Sequence, residues 1–213
     1  MQANPPTDTM LWSDSSVEGS FRFLRGLWKT VHDHQAAGIV VRHVQGDLSK
    51  DLKDLRFKLH KTIEKVADDY GRRLQFNTAI AAVRELLNLR DDLEDASPAA
   101  RAVSQEVLED AVLMLSPIVP HVATALWSEL RPGTRLLDQP WPAVDPAALV
   151  QDSIELVVQV NGKLRGHVSV PVSATREQIE VFALANESVQ KFVNGQKPKK
   201  VIVVPGKLVN VVV

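Results

Sequence analysis

Apolar residues recur at steps of three and four through the first 130 residues, the spacing that aligns side chains on one face of an α-helix. In the first such stretch the stripe consists of Phe21, Leu24, Trp28 and Val31. The pattern predicts five helices, over about residues 17–35, 49–70 and 76–93, from the following loop to about 115, and over 117–130. Such helices, joined by short connections, are typical of an up-and-down bundle, and we interpret the stripes as its core.

Residues that favour helix ends flank these stretches. Ser16 or Asp14 is predicted to cap the first helix, because a side-chain oxygen there can accept a bond from a free N–H group. Pro117 and Pro120 are both predicted to lie in the first turn of the fifth helix, where a missing N–H group costs least.

Prolines and glycines then interrupt the helical pattern between residues 131 and 150. Repeated Pro residues prevent regular helix there, and Asp145-Pro146 ends the segment. We therefore divide the chain into a leading segment, a helical bundle, a linker and a C-terminal domain. Their predicted bounds are 1–16, 17–137, 138–150 and 151–213.

The C-terminal domain has the pattern of strands. Residues 154–160 are rich in β-branched side chains, and Asn161-Gly162 is the dipeptide favoured in a type I′ turn before a second strand over 164–170. A helix over 176–186 and a second hairpin, 200–204 with 208–213, complete a ββαββ unit. The predicted fold class is a multi-domain α plus α/β protein, an all-α bundle followed by this small domain.

Composition narrows the functional classes. The chain has 213 residues, 45% of them hydrophobic and 24% charged, and contains no Cys. These values are typical of a globular protein and exclude disulfides and thiolate metal sites. No apolar run reaches about 18 residues, so we expect no membrane partner and a cytoplasmic location.

The sequence offers no recognisable catalytic or metal-binding motif. His32 and His34 are two residues apart and therefore lie on different sides of a helix, so we predict no metal site. Phosphate-binding loops of the Walker type and nucleophile elbows do not occur. The acidic run 91–95 is interpreted as a solvated helix end, and no catalytic residue or cofactor is predicted in this chain.

Charge is distributed unevenly along the chain. Residues 1–145 carry 17 Lys+Arg and 21 Asp+Glu, whereas residues 146–213 carry 8 and 5. Because hairpin turns and strand ends can meet at one end of a small sheet, the basic side chains there are predicted to form a cluster that attracts a phosphate backbone. The predicted contacts are Lys163, Arg165, Lys197, Lys199, Lys200 and Lys207.

Two alternatives remain open for basic residues. Lysines on a small sheet also protect edge strands from aggregation, and the residues alone do not decide between the two roles. The basic residues of the second helix and the residues after it, such as Lys61, Lys65 and Arg72, could also contact phosphates. We interpret them as a solvated face paired with Asp54, Glu64 and Asp69. Phe182 and Phe192 are predicted to be buried, which favours backbone and shape contacts over base stacking.

Five segments resemble one enzyme family. Residues 76–81 (FNTAIA) and 115–121 (LSPIVPH) are similar to the anticodon-binding helical domain of bacterial leucyl-tRNA synthetases. Residues 158–166 (VQVNGKLRG) and 203–210 (VVPGKLVN) look like the C-terminal domain of the same family, and residues 1–16 resemble the segment that leaves its catalytic core. The likeness covers essentially the whole chain.

The resemblance implies that the chain is the C-terminal part of a leucine–tRNA ligase. Its partners would be tRNA(Leu), gripped at the elbow by the terminal domain, and a catalytic core that acts in cis or in trans; no DNA partner is expected. The family's catalytic signatures are missing, and Leu48-Ser49-Lys50-Asp51 does not replace them. ATP and Mg would belong to the parent enzyme. The alternatives are a protein-interaction module and a free-standing tRNA-binding paralogue without catalysis.

Overall fold

A computed structural model describes residues 9, 12–43, 46–150, 153–193, 198, 200–204 and 206–212. The chain divides into two compact units, Met1–Leu149 and Val150–Val213. The five predicted helices are present in the first unit. They are α1 (Asp14–Ala36), α2 (Lys50–Asp68), α3 (Phe76–Asp91), α4 (Pro98–Leu115) and α5 (Pro120–Leu130).

Two helix starts differ from the predictions. The hydroxyl oxygen of Ser13 accepts a bond from the N–H group of Ser16, so α1 begins at Asp14 and both predicted caps lie inside it. The predicted leading segment, 1–16, therefore ends in helix. Pro117 is not helical, because residues 116–118 form a turn, and only Pro120 occupies the first position of α5.

The buried face of α1 is rotated from the predicted one. Leu27, Val31 and His34 face the core, whereas Phe21 is 62% exposed and Trp28 is 47% exposed. Phe21 and Trp28 are therefore not core residues as predicted. The reason is geometric, since a step of one residue turns the contact face of a helix by about 100°.

A π-helical turn, Asp69–Arg73, connects α2 to α3. Leu74 follows with a φ of 52°, a left-handed conformation that β-carbons disfavour. The fully buried carboxylate of Asp69 accepts bonds from Lys65, Arg73 and Thr78, which holds the corner together.

The segment predicted as a linker packs on the helical unit as far as Leu149. It contains two short 3₁₀ turns, Leu136–Asp138 and Pro146–Leu149. The carboxylate of Asp145 accepts a bond from Arg56 at 3.0 Å, and the Asp145 N–H group donates to Nδ1 of His60 at 3.2 Å. These bonds attach the segment to α2, so it differs from the free connection that its prolines suggested.

The second unit is a four-stranded sheet with two helices. Its elements are β1 (Ser153–Val160), β2 (Lys163–Pro171), α6 (Arg176–Ala185), α7 (Glu187–Val193), β3 (Lys200–Val204) and β4 (Leu208–Val212). The strand order is β2-β1-β4-β3, with β1 and β4 parallel and both outer pairs antiparallel. The helix α7 was not predicted, so the order is ββααββ. The predicted fold class, a helical bundle followed by a small sheet domain, is confirmed.

Each unit has its own hydrophobic core. The first is built from all five helices and includes Leu55, Leu59 and Met114. The second lies between the sheet and its helices and includes Leu156, Val158 and Val211. Within the described part of the chain, none of the helices combines the length and the apolar character needed to cross a membrane.

Candidate nucleic-acid interface

Lys163 follows a tightly fixed turn between β1 and β2. Asn161 and Gly162 have φ values of 48° and 77°, as the predicted type I′ turn requires. The Gly162 N–H group donates to the side-chain oxygen of Asn210 at 3.0 Å, and the Asn161 N–H group donates to the carbonyl of Val211 at 2.9 Å. The turn is thus anchored to β4, and it places Lys163 at this end of the sheet.

Arg165 is the extra residue of a β-bulge. Val158 pairs with Gly166 and Gln159 with Leu164, so no residue of β1 opposes Arg165. Its guanidinium carbon lies 3.8 Å from the centre of the Phe192 ring on α7. Its buried Nε atom has no hydrogen-bond partner among the described residues. The bulge and the ring together hold a cationic group that no described carboxylate neutralises.

Gly166 allows the junction between α6 and α7 to approach β2. A β-carbon at this position would lie 3.2 Å from the side-chain oxygen of Asn186, which is tighter than ordinary contact. Asn186 donates from its amide to the carbonyl of His167 at 2.8 Å and accepts from the Ser188 N–H group at 3.0 Å. It therefore ties the start of α7 to β2 and keeps Phe192 within reach of Arg165.

The remaining predicted contacts do not form one cluster. Because β1 and β4 are parallel, the turn after β1 and the turn before β4 lie at opposite ends of the sheet. Lys200, which pairs with Val212, lies at the same end as Lys163, whereas Lys207 lies at the other. Lys197 and Lys199 fall outside the described residues. The clustering at one end was a wrong expectation for Lys207, while the RNA-binding role of all six residues stays a prediction.

Sequence reasoning missed Lys191 and misjudged two aromatic residues. Lys191 lies on α7, beside Phe192 in sequence, and adds a cation to the element that carries the ring. Asn186, a residue favoured at helix starts, was the signal that could have predicted α7. Phe182 and Phe192 were predicted to be buried, but they are 41% and 46% exposed.

Basic residues of α2 and the following turn are mostly neutralised by neighbours. Lys61 pairs with Glu64 at 2.9 Å, and Arg72 contacts Asp68 at 2.6 Å. Lys65 lies 2.6 Å from Asp69. The pattern agrees with the predicted solvated face, and the predicted acids Asp54, Glu64 and Asp69 all take part in ion pairs.

A buried ionic network crosses the centre of the helical unit. The guanidinium of Arg56 donates to both carboxylate oxygens of Glu106, at 2.8 and 3.1 Å. Arg42 donates to both oxygens of Asp110, at 3.2 and 3.1 Å, and reaches Glu106 at 3.4 Å. Because each buried acid faces an arginine, the network has a structural explanation and does not resemble a general acid–base pair.

The pKa values of the two acids move in opposite directions. Burial raises the pKa of Glu106, but His60, Arg56 and Arg42 beside it outweigh burial and lower the pKa to about 2. Burial raises the pKa of Asp110 to about 6, with Arg42 opposing the change. The difference follows from the second arginine at Glu106 and the greater isolation of Asp110 from solvent.

Two buried histidines of the helical unit contact polar neighbours. The ring Nε2 atom of His34 lies 3.0 Å from the side-chain oxygen of Gln105, and burial lowers the pKa of His34. Nδ1 of His60 accepts the N–H group of Asp145. Across the residues that the structure describes, no three His, Asp or Glu side chains are arranged to hold a metal ion.

Comparisons with known proteins point to one family. Residues 53–181 match the family model described as the anticodon-binding domain of tRNA ligase. The leucine–tRNA ligase of Chromobacterium violaceum is 59% identical over 213 residues, all of this chain and 24% of that protein. That of Laribacter hongkongensis is 62% identical, again over the whole chain and 24% of the relative.

One solved structure has a similar fold. It is the crystal structure of the ternary complex of Agrobacterium radiobacter K84 agnB2 LeuRS, tRNA and LeuAMS, with a TM-score of 0.71 and 25% sequence identity. The match covers 95% of this chain and 26% of that chain. The present chain thus spans about a quarter of the length of the curated relatives that it matches. The resemblance to leucyl-tRNA synthetases is confirmed, and, because the family model covers more than half of the sequence, the chain belongs to the family of anticodon-binding domains of tRNA ligases.

Proposed function

We propose that this chain is the tRNA-binding part of a leucine–tRNA ligase and positions tRNA(Leu) for leucylation by a catalytic core that acts in cis or in trans. The observation that carries the proposal is its 59% identity, over its full length, to a leucine–tRNA ligase. ATP and Mg are required by that core, and this chain contributes binding energy and orientation without a catalytic group. The cytoplasmic location expected from the sequence is part of the same proposal.

The distribution of charge supports RNA binding by the C-terminal unit. The helical unit has four more acidic than basic residues, and the C-terminal unit has three more basic than acidic ones. Lys163, Arg165 and Lys200 lie at one end of the sheet, where phosphates can reach several cations. Arg165 is the strongest candidate, because the Phe192 ring orients its guanidinium without neutralising it.

The proposal is tested by titrating tRNA(Leu) and a non-leucine tRNA with the intact chain at several salt concentrations. We expect binding of tRNA(Leu), and a loss of affinity when Lys163, Arg165, Lys199, Lys200 and Lys207 are changed to Ala. The slope of log affinity against log salt should fall by about 0.7–0.9 for each lost phosphate contact.

Arg176→Ala is the matched control, because Arg176 lies in the same unit but its guanidinium contacts Glu180 at 3.2 Å. It should leave both affinity and slope unchanged. Equal binding of tRNA(Leu) by the fivefold variant and the unchanged chain would refute the assigned contacts, and no binding of any tRNA would refute the proposed function.

A further inference from the structure

A buried histidine holds residues 139–149, the strap, on the helical unit. His60 of α2 is 1% exposed, and its Nδ1 atom accepts the N–H group of Asp145 at 3.2 Å. A neutral imidazole has one accepting nitrogen and one N–H group, so this bond assigns the proton of His60 to Nε2. The strap is therefore attached through a ring that has to be neutral.

The opposite side of the same ring favours a positive charge. Nε2 lies 3.6 Å from Oε1 of Glu106, which is longer than a hydrogen bond, and it has no hydrogen-bond partner among the described residues. A nearby carboxylate stabilises an imidazolium, so the ring can take up a second proton in spite of its burial. That proton has to bind at Nδ1, where the N–H group of Asp145 lies. Proton uptake and attachment of the strap therefore exclude each other.

Several other charged or titratable groups surround this contact. They lie on α2, on α4, in the connection between α1 and α2, and on the strap: Arg56, Glu106, Asp110, Arg42, His43 and Asp145. On the side of α3, Glu85 pairs with Lys58 at 2.9 Å. Burial and the Arg56 guanidinium lower the pKa of His43, which favours a neutral ring there.

Asp110 titrates in mild acid but does so elsewhere in the network. Burial raises its pKa to about 6, and its ion pair is with Arg42 at 3.1 Å. His60 differs from Asp110 and His43, because it contacts the strap through an atom that must stay unprotonated.

The remaining contacts of the strap allow it to leave α2. The Asp145 side chain is 36% exposed, so water weakens its ion pair with Arg56. Val144 is only partly buried against the core, and Trp141 is 40% exposed. The strap ends at Leu149, immediately before the second unit. A released strap would add up to about 35–40 Å of extended chain to the connection between the units.

We propose that His60 is a proton-sensitive latch: a proton taken up at Nδ1 removes the acceptor of the Asp145 N–H group and releases the strap from α2. The latch is closed at neutral pH and opens in mild acid, so it regulates the length of the free connection before the C-terminal unit. The inference concerns the helical unit alone and does not depend on the proposed function.

The test follows the mobility of the strap and the protonation of His60 in the same protein. Because the chain has no Cys, Ala143→Cys on the strap provides one site for a nitroxide label. Continuous-wave EPR at room temperature, at pH 7.5 and 5.5, measures the ratio of mobile to immobile label. One bound proton separates the two states, so this ratio should rise by up to about tenfold for each unit of pH. NMR of the chain labelled with ¹⁵N-histidine should show Nδ1 of His60 becoming protonated with the same midpoint.

Three variants assign the effect to the latch. His60→Asn keeps an oxygen that can accept the Asp145 N–H group but does not titrate, so the label should stay immobile at both pH values. His43→Asn is the matched control, since it makes the same substitution at a histidine of the same network, and it should keep the pH response. Asp110→Asn should keep it too. Melting temperatures at pH 7.5 establish that each variant is folded.

The proposal is wrong if Nδ1 of His60 stays unprotonated at pH 5.5, or if it is protonated while the label remains immobile. An unchanged pH response in a folded His60→Asn variant would also overturn it. Loss of the response in Asp110→Asn alone would assign the effect to the ion pair with Arg42. If His60→Asn does not fold, the midpoints of protonation and of label mobility in the unchanged network still decide, and different midpoints would refute the latch.

Discussion

At the scale of single residues, Arg165 shows how backbone irregularity can prepare a binding group. Side chains along a strand alternate between the two faces of the sheet, and the bulge interrupts this alternation at Arg165. Phe192 then receives the guanidinium, and Gly166 leaves room for the helix junction that carries the ring. Three residues with separate local roles therefore determine where one positive charge lies.

The ring beneath Arg165 can be tested separately from the charge. We expect Phe192→Leu to lower affinity for tRNA(Leu) about two- to fivefold, because a stacked cation contributes about 0.5–1 kcal/mol when exposed. The salt slope should stay unchanged, since the guanidinium itself is retained. Titrations at several salt concentrations measure both quantities; a changed slope would contradict an orienting role for the ring.

Glu106 makes the stability of the helical unit sensitive to acid. Its pKa is lowered from 4.5 to about 2, so its contribution to the free energy of unfolding is present above pH 4.5 and is lost as pH falls towards 2. The Glu106→Gln variant should be less stable by about 3–5 kcal/mol at neutral pH, because Arg56 and Arg42 lose a buried partner.

Urea unfolding at pH 7, 5 and 3 checks this expectation. The unchanged protein should lose stability between pH 4.5 and 3, and Glu106→Gln should show a smaller loss over the same interval. Asp110 is the comparison, since its pKa is raised to about 6. Its protonation favours the folded state as pH falls from 6 to about 4. The loss of unfolding free energy below pH 4.5 should therefore be as large in Asp110→Asn as in the unchanged protein.

At the scale of elements, the sequence pattern does not predict where a loop attaches to the helices. Residues 139–149 contain three prolines and no regular pattern, yet Asp145 fastens them to Arg56 and His60 of α2. The composition of a segment indicates only its local conformational preferences. It does not show that Asp145 bonds to His60 and Arg56, which lie 85 and 89 residues earlier in the chain.

Removing that attachment should loosen the segment without unfolding the bundle. Asp145→Ala removes the carboxylate that accepts from Arg56 and is expected to increase cleavage by protease between residues 139 and 149. Asp138→Ala is the control, since Asp138 makes only a 3.8 Å pair with Arg135 next to it. Limited proteolysis followed by mass spectrometry locates the cuts, and equal cleavage in both variants would exclude a fastening role for Asp145.

How far the sequence predicts this molecule depends on the range of the determining contacts. Helices with long apolar stripes and the Asn161-Gly162 turn depend on local chemistry, and both were predicted. The buried face of α1 depends on which helices pack against it, and Phe21 and Trp28 were therefore misassigned. The positions of the candidate cations depend on the parallel pairing of β1 and β4, which no local pattern encodes.

At the scale of the whole molecule, ion pairing distinguishes basic side chains that are neutralised at the surface from those that remain able to bind an anion. Most cations of the acidic unit are matched by nearby carboxylates, which limits their attraction for an external anion. We expect Arg72→Ala, which leaves Asp68 exposed, to change tRNA affinity by less than about twofold. Loss of binding equal to that of the fivefold variant, in the same titration, would show that paired cations also take part.

The sheet of the C-terminal unit joins its first and last strands at the centre. Until Leu208–Val212 has been synthesised, β1 lacks one of its two neighbours and Leu156 and Val158 have no complete core. Folding of this unit therefore has to wait for β4, and a chain cut before residue 208 would hold the β1–β2 hairpin but leave β3 without its partner. Because β4 lies between β1 and β3, the unit that carries Arg165 can assemble only after residues 208–212 have been added to the chain.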